Sequence, residues 1–271
     1  MTERWVTRDG LRLCVDDLGA GPVVLLAHGM WCDAGMFTRL ATELARDHRV
    51  LIPDLRGHGR SDVPAAAWTI ADLADDLQAI VEQLGVDRLT LAGFSMGGMA
   101  AVAFALRHAE RLNGLALIGT SAAAEELFRI AEIKALARII QVAGPPRFLA
   151  HEASRSTFSP EFRKANPDEV KRWESVVKAM HGPALVQALR AVAGRPSLLE
   201  RLGEVPTPTL IITGTADKVL RPRWSDAMHR RLPHSRLVTY PGVGHAVPTE
   251  RPHEVAVLLR ALDTGTLPRD S

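Results

Sequence analysis

The sequence predicts an α/β fold in which helices cover both faces of a mostly parallel β-sheet. Short apolar segments typical of buried strands alternate with helix-like segments along most of the 271 residues, which is the pattern of a parallel sheet. Glycine-rich loops directly follow several of the strand-like segments. Residues 121–205 contain helical patterns only, and we therefore predict a helical cap inserted after the sixth strand.

The N-terminal segments have mainly strand patterns. Residues 11–17 alternate apolar and polar side chains, as a half-buried strand does. The run PVVLLAHG is continuously apolar and ends near glycine, and RVLIPDLRGHG begins with an apolar segment that leads into a glycine-rich loop, which predicts two buried strands. The segment between these two runs is predicted to be a helix, because its apolar residues have helical spacing at Phe37, Leu40 and Leu44.

The segment TIADLADDLQAIVEQLG predicts a helix with recognisable ends. Thr69 can cap its N-terminus, acidic residues fill its first turns, and Gly85 can close it. A strand, a helix rich in small residues and another strand are predicted next, at residues 88–95, 96–112 and 113–121. The small side chains of that helix allow it to pack closely against the sheet.

The alternation of strands and helices stops at residue 121 and resumes near residue 206. We therefore predict a core domain made of residues 1–120 and 206–271, and a cap made of residues 121–205. Ligands of open parallel sheets bind at the carboxyl ends of the strands. The loops that follow the predicted strands should gather on one rim of the sheet, under the cap.

The composition excludes several classes of partner. A formal net charge of +2 without a basic block predicts no nucleic-acid or membrane partner. The charged N-terminus contains no apolar signal-peptide core, so we expect a soluble, cytoplasmic protein. Cys14 and Cys32 have no metal-ligand spacing and are expected to be reduced, structural thiols.

The stretch GFSMG at residues 93–97 places Ser95 between a predicted strand and a predicted helix. A sharp turn there would hold the hydroxyl clear of the sheet, and glycines two residues away on either side avoid a collision across the turn. The following helix would supply a free backbone N–H for an oxyanion, usually that of the next residue, Met96. In isolation the pattern also fits an ordinary glycine-rich turn.

Two later residues can activate Ser95. A nucleophilic serine needs a base, and His245 lies in a loop after a predicted strand, between small residues. The base needs an acid that orients it, and Asp217 lies just past another buried strand. An aspartate that caps a turn is the alternative interpretation of Asp217. Met30, which follows His28-Gly29 at the end of a strand, is the candidate for a second oxyanion N–H.

The sequence resembles the α/β-hydrolase superfamily with a serine nucleophile over essentially its whole length. The motifs that carry the resemblance are HGMW, DLRGHGRSD, GFSMGG, GTADKV and GVGHAVPTERP. The resemblance implies an α/β-hydrolase fold and a catalytic triad in the order Ser95, Asp217, His245. It also implies that Asp54 and His58 are structural.

Within the superfamily, the motifs look most like the small esterase and enol-lactonase branch. Haloalkane dehalogenases and epoxide hydrolases are disfavoured, because they use aspartate at the position of Ser95. The branch often has serine where this chain has Gly29, so its specific substrate does not carry over. A C–C bond hydrolase or lyase with the same triad, or a slow-turnover ligand sensor, remains open.

The predicted reaction is hydrolysis of a small to medium carboxylic ester or lactone through an acyl-enzyme. It needs neither a metal nor an organic cofactor. Met and Trp near the nucleophile, without clustered arginine, favour an uncharged acyl group. The predicted substrate-pocket residues are Trp31, Phe128, Phe148 and Trp173. A small-molecule substrate is the expected partner, together with a possible second copy in a homodimer.

Overall fold

The computed structural model describes residues 1–146 and 148–267, and within them eight strands form one sheet. The strand order across the sheet is β1-β2-β4-β3-β5-β6-β7-β8. In chain order the strands are β1 (Thr2–Arg8), β2 (Leu11–Gly19), β3 (Val23–Ala27), β4 (Arg49–Pro53), β5 (Leu89–Phe94), β6 (Leu112–Ile118), β7 (Thr209–Gly214) and β8 (Ser235–Tyr240).

The sheet is mostly parallel, as the sequence predicts. β2 pairs antiparallel with both β1 and β4, and every pairing from β4 to β8 is parallel. All residues of β5 and β7 are buried, which explains their continuous apolar runs. The sheet therefore has the architecture of the α/β-hydrolase fold.

Eleven α-helices lie within the described residues. In chain order they are α1 (Thr38–Leu44), α2 (Ile70–Gln83), α3 (Met96–Ala105), α4 (Leu127–Ala143), α5 (Leu149–Thr157), α6 (Pro160–Ala165), α7 (Pro167–Ala179), α8 (Gly182–Ala193), α9 (Arg223–His229), α10 (Val247–Glu250) and α11 (Pro252–Asp263). Short 3-10 segments cover Ala34–Phe37, Ala109–Arg111 and Leu199–Glu204.

Alternation along the central strands divides the core between the two faces of the sheet. On β3, Leu25 faces one core cluster and Leu26 faces the other. On β5, Leu91 belongs to the same cluster as Leu25, and Phe94 belongs to the same cluster as Leu26. Successive strand side chains point to opposite faces, so a central strand that is covered on both faces is apolar at most of its positions.

The ends of α2 confirm the capping residues read from the sequence. Thr69 and Asp72 form a capping box, with the Thr69 N–H donating to Asp72 at 2.8 Å. Gly85 follows the C-cap with a φ of +65°, a conformation that favours glycine.

Helices α4 to α8 occupy the chain between β6 and β7, and no strand is assigned among the described residues of that segment. A third apolar cluster joins α4 to α8, and Met30 and Trp31 pack against it. The division into a core and a cap at residues 121 and 205 stays a prediction. Residues 147 and 268–271 of those ranges lie outside the described residues.

None of the helices described for this chain is long and apolar enough to cross a membrane.

Candidate active site

Three loops at the carboxyl edge of the sheet bring Ser95, Asp217 and His245 together. Ser95 directly follows β5, Asp217 lies three residues after β7, and His245 lies five residues after β8. These strands are parallel, so their carboxyl ends open on the same edge. Residues that are 28 and 150 positions apart in the chain are therefore hydrogen-bonding partners.

Ser95 has a strained backbone between β5 and α3. Its φ of +51° and ψ of −116° lie in a region that residues other than glycine rarely adopt. The Ser95 N–H donates to Ile118 O at 3.0 Å, and the Thr120 hydroxyl donates to Ser95 O at 2.7 Å. These bonds to the neighbouring strand end hold the turn in place.

The glycines on either side of Ser95 are required by close packing. A Cβ on Gly93 would lie 2.6 Å from Gly98 Cα, across the turn. A Cβ on Gly97 would collide with the backbone carbonyl of Ala27 at the end of β3. The spacing of the GFSMG motif thus has the steric origin that the sequence suggests.

His245 links the other two side chains. Its Nε2 lies 3.0 Å from Ser95 Oγ, and its Nδ1 lies 2.7 Å from Asp217 Oδ2. Asp217 Oδ1 accepts hydrogen bonds from the N–H groups of Val219 and Leu220, both at 2.8 Å. An ionised carboxylate in this position only accepts, so it keeps the proton of the imidazole on Nδ1. Nε2 is then free to take a proton from the serine hydroxyl.

The loop that carries His245 packs against the ends of β5 and β6 and is hydrogen-bonded to α5. The Phe94 ring centroid lies 4.8 Å from that of the imidazole, and a Cβ on Gly119 would lie 3.2 Å from Nδ1. The Ala246 N–H donates to Thr157 O at 3.0 Å, at the end of α5. The helical segment between β6 and β7 therefore takes part in positioning the histidine.

Glu250 and Ser159 are residues of this site that sequence reasoning missed. Glu250 Oε1 accepts from the Gly244 N–H at 3.2 Å and from the Ser159 N–H at 2.8 Å. The two residues are 91 positions apart, so no local pattern could have paired them. The only available signal was the position of Glu250 within the GVGHAVPTERP motif, five residues after His245.

The backbone next to Met30 and Met96 faces Ser95. Met96 is the first residue of α3, where N–H groups have no acceptor within the helix. A Cβ on Gly29 would lie 2.9 Å from Ser95 Cβ, so the segment that leads into Met30 lies against the serine. The assignment of these two N–H groups to an oxyanion hole stays a prediction.

A cavity of about 320 Å³ opens beside Ser95 and His245. Trp31 and Trp173 line it, as expected from the sequence, together with both predicted oxyanion residues, Met30 and Met96. The other apolar side chains in its wall are Phe94, Met99, Ile133, Leu136, Leu149, Ala153, Leu189, Val192, Val219 and Leu220.

The expectation that Phe128 and Phe148 line the pocket is wrong. Neither residue borders this cavity, and their side chains are 59% and 68% exposed. On α4 the residues that line the cavity include Ile133 and Leu136, and Phe128 lies about a quarter of a turn away from that face. Phe148 immediately precedes α5, and its neighbour Leu149 points into the cavity instead.

Ion pairs neutralise the charged groups around the cavity. Arg129 is the only lysine or arginine among the described lining residues, and it lies 2.7 Å from Glu132. Glu125 pairs at 3.0 Å with Arg195, whose guanidinium is buried. The wall of the cavity is mainly apolar, and its described residues include no positive side chain without a carboxylate partner.

The histidines and the aspartate of the neighbouring loops are architectural. Asp54 accepts from the Ala34 N–H and from Arg60 Nε, both at 2.7 Å. His28 Nε2 accepts from the Leu55 N–H at 3.0 Å. Burial lowers the pKa of His58 to about 3, which keeps this imidazole neutral.

Cys32 borders the cavity as a thiol. The Trp173 indole N–H donates to Cys32 Sγ at 3.4 Å, and burial raises the pKa of this thiol to about 12. A thiol with such a pKa is a poor nucleophile. Across residues 1–146 and 148–267, no group of three or more His, Cys, Asp or Glu side chains is arranged to hold a metal ion.

The chain is similar in sequence to a known protein family and to individual enzymes. The model of the alpha/beta hydrolase fold family matches residues 22–252. A putative 2-succinyl-6-hydroxy-2,4-cyclohexadiene-1-carboxylate synthase from Bacillus subtilis is 31% identical, over 90% of this chain and 92% of that protein. A 3-oxoadipate enol-lactonase from Acinetobacter baylyi is 27% identical, over 78% of each chain.

A solved structure is similar over nearly the full length of the chain. The structure of a thermophilic esterase from Thermogutta terrifontis, with malate bound, superposes with a TM-score of 0.91 and 30% sequence identity. The superposition covers 98% of this chain and 99% of the esterase.

Proposed function

The chain belongs to the alpha/beta hydrolase family, and from this premise we propose that it is a serine hydrolase of small to medium carboxylic esters or lactones. The observation that carries the proposal is the hydrogen-bonded series of Ser95, His245 and Asp217, of which Ser95 and His245 line a mainly apolar cavity. Similarity to an esterase and to an enol-lactonase supports the same class of bond.

The first half of the reaction forms an acyl-enzyme. Ser95 Oγ attacks the carbonyl carbon of the substrate, and its proton passes to His245 Nε2 across the 3.0 Å contact. The negative charge on the substrate oxygen is stabilised by the N–H groups of Met30 and Met96. One such donor is worth about 3–4 kcal/mol of barrier. The imidazolium then gives its proton to the leaving alkoxide as the C–O bond breaks.

The second half repeats these steps with water. His245 Nε2 accepts a proton from a water molecule that attacks the acyl carbon, and the imidazolium returns this proton to Ser95 Oγ when the ester bond breaks. Asp217 stabilises the imidazolium in both halves through its 2.7 Å contact with Nδ1. The products are a carboxylic acid and an alcohol, or a hydroxy acid when the substrate is a lactone.

The cavity favours an uncharged acyl group. Its apolar side chains can bury a hydrocarbon chain, whereas a buried carboxylate on the substrate would need a free cation. Arg129 already pairs with Glu132 and cannot serve without breaking that ion pair.

Hydrolysis of p-nitrophenyl acetate and butyrate tests the proposal directly. We expect turnover by the wild type, and a loss of at least about 10⁴-fold in kcat for Ser95→Ala. Ser175→Ala, which changes a serine on α7 outside the cavity, is the matched control and should retain activity.

A fluorophosphonate probe separates the alternatives. The probe loses fluoride as its phosphorus bonds to an activated serine oxygen, so labelling of Ser95 reports nucleophilicity without turnover. Labelling with no hydrolysis of any ester or lactone would overturn the esterase proposal in favour of a slow-turnover sensor or a C–C bond enzyme. The 31% identity to a putative synthase is the observation that keeps an enzyme other than an ester hydrolase as the second candidate. Absence of labelling would contradict an activated Ser95 altogether.

A further inference from the structure

A second cavity adjoins the first, and the two share a single lining residue among those described, Met99. The volume of the second cavity is about 220 Å³. Met99 lies one helical turn after Ser95, and its N–H donates to Ser95 O at 3.1 Å. Its side chain is 5% exposed, so it fills the space between the two cavities rather than facing solvent.

The wall of the second cavity is built for hydrocarbon. Side chains of α2, α3 and the segment before the 3-10 turn at Leu199 contribute most of it, among them Ile70, Val102, Ala103, Leu106 and Leu198. None of these five residues borders the first cavity. An occupant that enters from Ser95 would have to pass Met99.

The arginines of the second cavity are already paired. Arg107 lies 2.6 Å from Asp75, Arg195 lies 3.0 Å from Glu125, and Arg201 lies 2.7 Å from Glu204. Compensated guanidinium groups do not call for an anionic ligand, and apart from Ser121 the rest of the wall is apolar. The chemistry of the cavity therefore fits an unbranched aliphatic chain.

We propose that Met99 limits the acyl-chain length that the enzyme accepts, because its side chain closes off the second cavity, which becomes an accessory site for the distal part of a linear aliphatic acyl chain when that side chain is truncated. This inference rests on the proposed function, because the chain must be attached to the carbonyl that Ser95 attacks. Methionine is unbranched and flexible, so its terminal Sδ and Cε atoms form a wall that truncation removes. With the side chain cut back, the two cavities join.

Chain-length profiles test the proposal. We expect Met99→Ala to raise the ratio of kcat/KM for p-nitrophenyl octanoate to that for butyrate by about tenfold or more, since each buried methylene adds to binding. Ala103→Leu, which fills only the second cavity, should return the ratio to the wild-type value when added to Met99→Ala. Met99→Val removes the same terminal atoms and replaces Met99→Ala if that variant does not fold.

Leu136→Ala is the matched control, because Leu136 borders the first cavity only. Adding Ala103→Leu to Leu136→Ala should leave the chain-length profile of that variant unchanged. An unchanged ratio in both Met99 variants, or a changed ratio that Ala103→Leu does not reverse, would overturn the assignment of the second cavity.

Binding of 1-decanol, followed by calorimetry, separates this inference from the proposed function because it needs no turnover. We expect Met99→Ala to bind 1-decanol about tenfold more tightly than the wild type, and Ala103→Leu to abolish the gain. If the wild type hydrolyses butyrate but neither readout responds at Met99, only the accessory site fails. If the wild type hydrolyses no ester, the proposed function fails, and with it the role of Met99 in acyl-chain selection.

Discussion

The hydroxyl of Ser159 donates a 2.6 Å hydrogen bond to Glu250 Oε2, joining the turn between α5 and α6 to the end of α10. The other carboxylate oxygen of Glu250 accepts from the Gly244 N–H, directly before His245. One buried carboxylate thus connects the helical segment between β6 and β7 to the loop of the candidate base. Burial raises the pKa of Glu250 despite these hydrogen bonds.

This raised pKa gives a pH-dependent stability that Glu250→Gln should remove. The folded state holds the proton of Glu250 more tightly than the unfolded state does. The resulting stabilisation is fully present below the ordinary pKa of glutamate and is lost as the pH rises through the folded-state pKa. We therefore expect the free energy of unfolding of Glu250→Gln, relative to the wild type, to increase with pH over that interval. Urea unfolding from pH 4 to pH 8 measures it, and a difference that stays flat or falls with pH would contradict it.

The strained backbone of Ser95 predicts that glycine is more stable than alanine at this position. Glycine tolerates a φ of +51°, whereas alanine retains the Cβ that makes the conformation unfavourable. Glycine also loses more conformational entropy on folding, which offsets part of the relief of strain. The net expectation is that the unfolding free energy of Ser95→Gly exceeds that of Ser95→Ala by about 1 kcal/mol.

Denaturant unfolding of the two Ser95 variants checks this expectation. Ser121 is the matched control, because it is also buried and is not among the residues with positive φ. There the order should reverse, with the glycine variant less stable than the alanine variant by about 0.5–1 kcal/mol. The same order at both positions would show that Ser95 is not strained.

Asp217→Asn should remove activity without disturbing the fold. Both acceptor contacts of Oδ1 are to backbone N–H groups, so the amide oxygen of asparagine must occupy that side. Its NH₂ group then faces His245 Nδ1 and moves the imidazole proton to Nε2, which can no longer accept from Ser95. We expect kcat to fall by about 10⁴-fold.

Ester hydrolysis and the thermal midpoint together test the role of Asp217. Asp226→Asn, at an exposed position on α9, is the matched control and should retain wild-type kcat. If Asp217→Asn kept full activity with an unchanged midpoint, the interpretation of Asp217 as a residue that only caps its turn would be correct.

Local patterns predict the α/β fold and make Ser95, Asp217 and His245 candidates, and the resemblance to the α/β-hydrolase superfamily selects these three as a triad. The apolar run of β5, the capping residues of α2 and the spacing of Gly93, Ser95 and Gly97 each depend on a few neighbouring residues. The parallel order of the strands then places the loops at their carboxyl ends on one edge, which makes Asp217 and His245 candidates to meet Ser95.

Side-chain direction inside the helical segment could not be read in the same way. Its helices have apolar residues on more than one side, so periodicity did not distinguish the face of Ile133 from that of the exposed Phe128. Trp173 was placed correctly at the cavity, but its hydrogen bond to Cys32 spans 141 positions and has no local signature.

The sequence by itself determined which elements form and which chemical groups end their loops, because strand alternation, helix capping and the steric demand of a tight turn act over a few residues. Only the tertiary structure decided how distant groups pair: the carboxylate of Glu250 with Ser159, and Met99 between two cavities. Those contacts depend on how whole elements pack against each other, and packing is a property of surfaces that no short stretch of sequence contains.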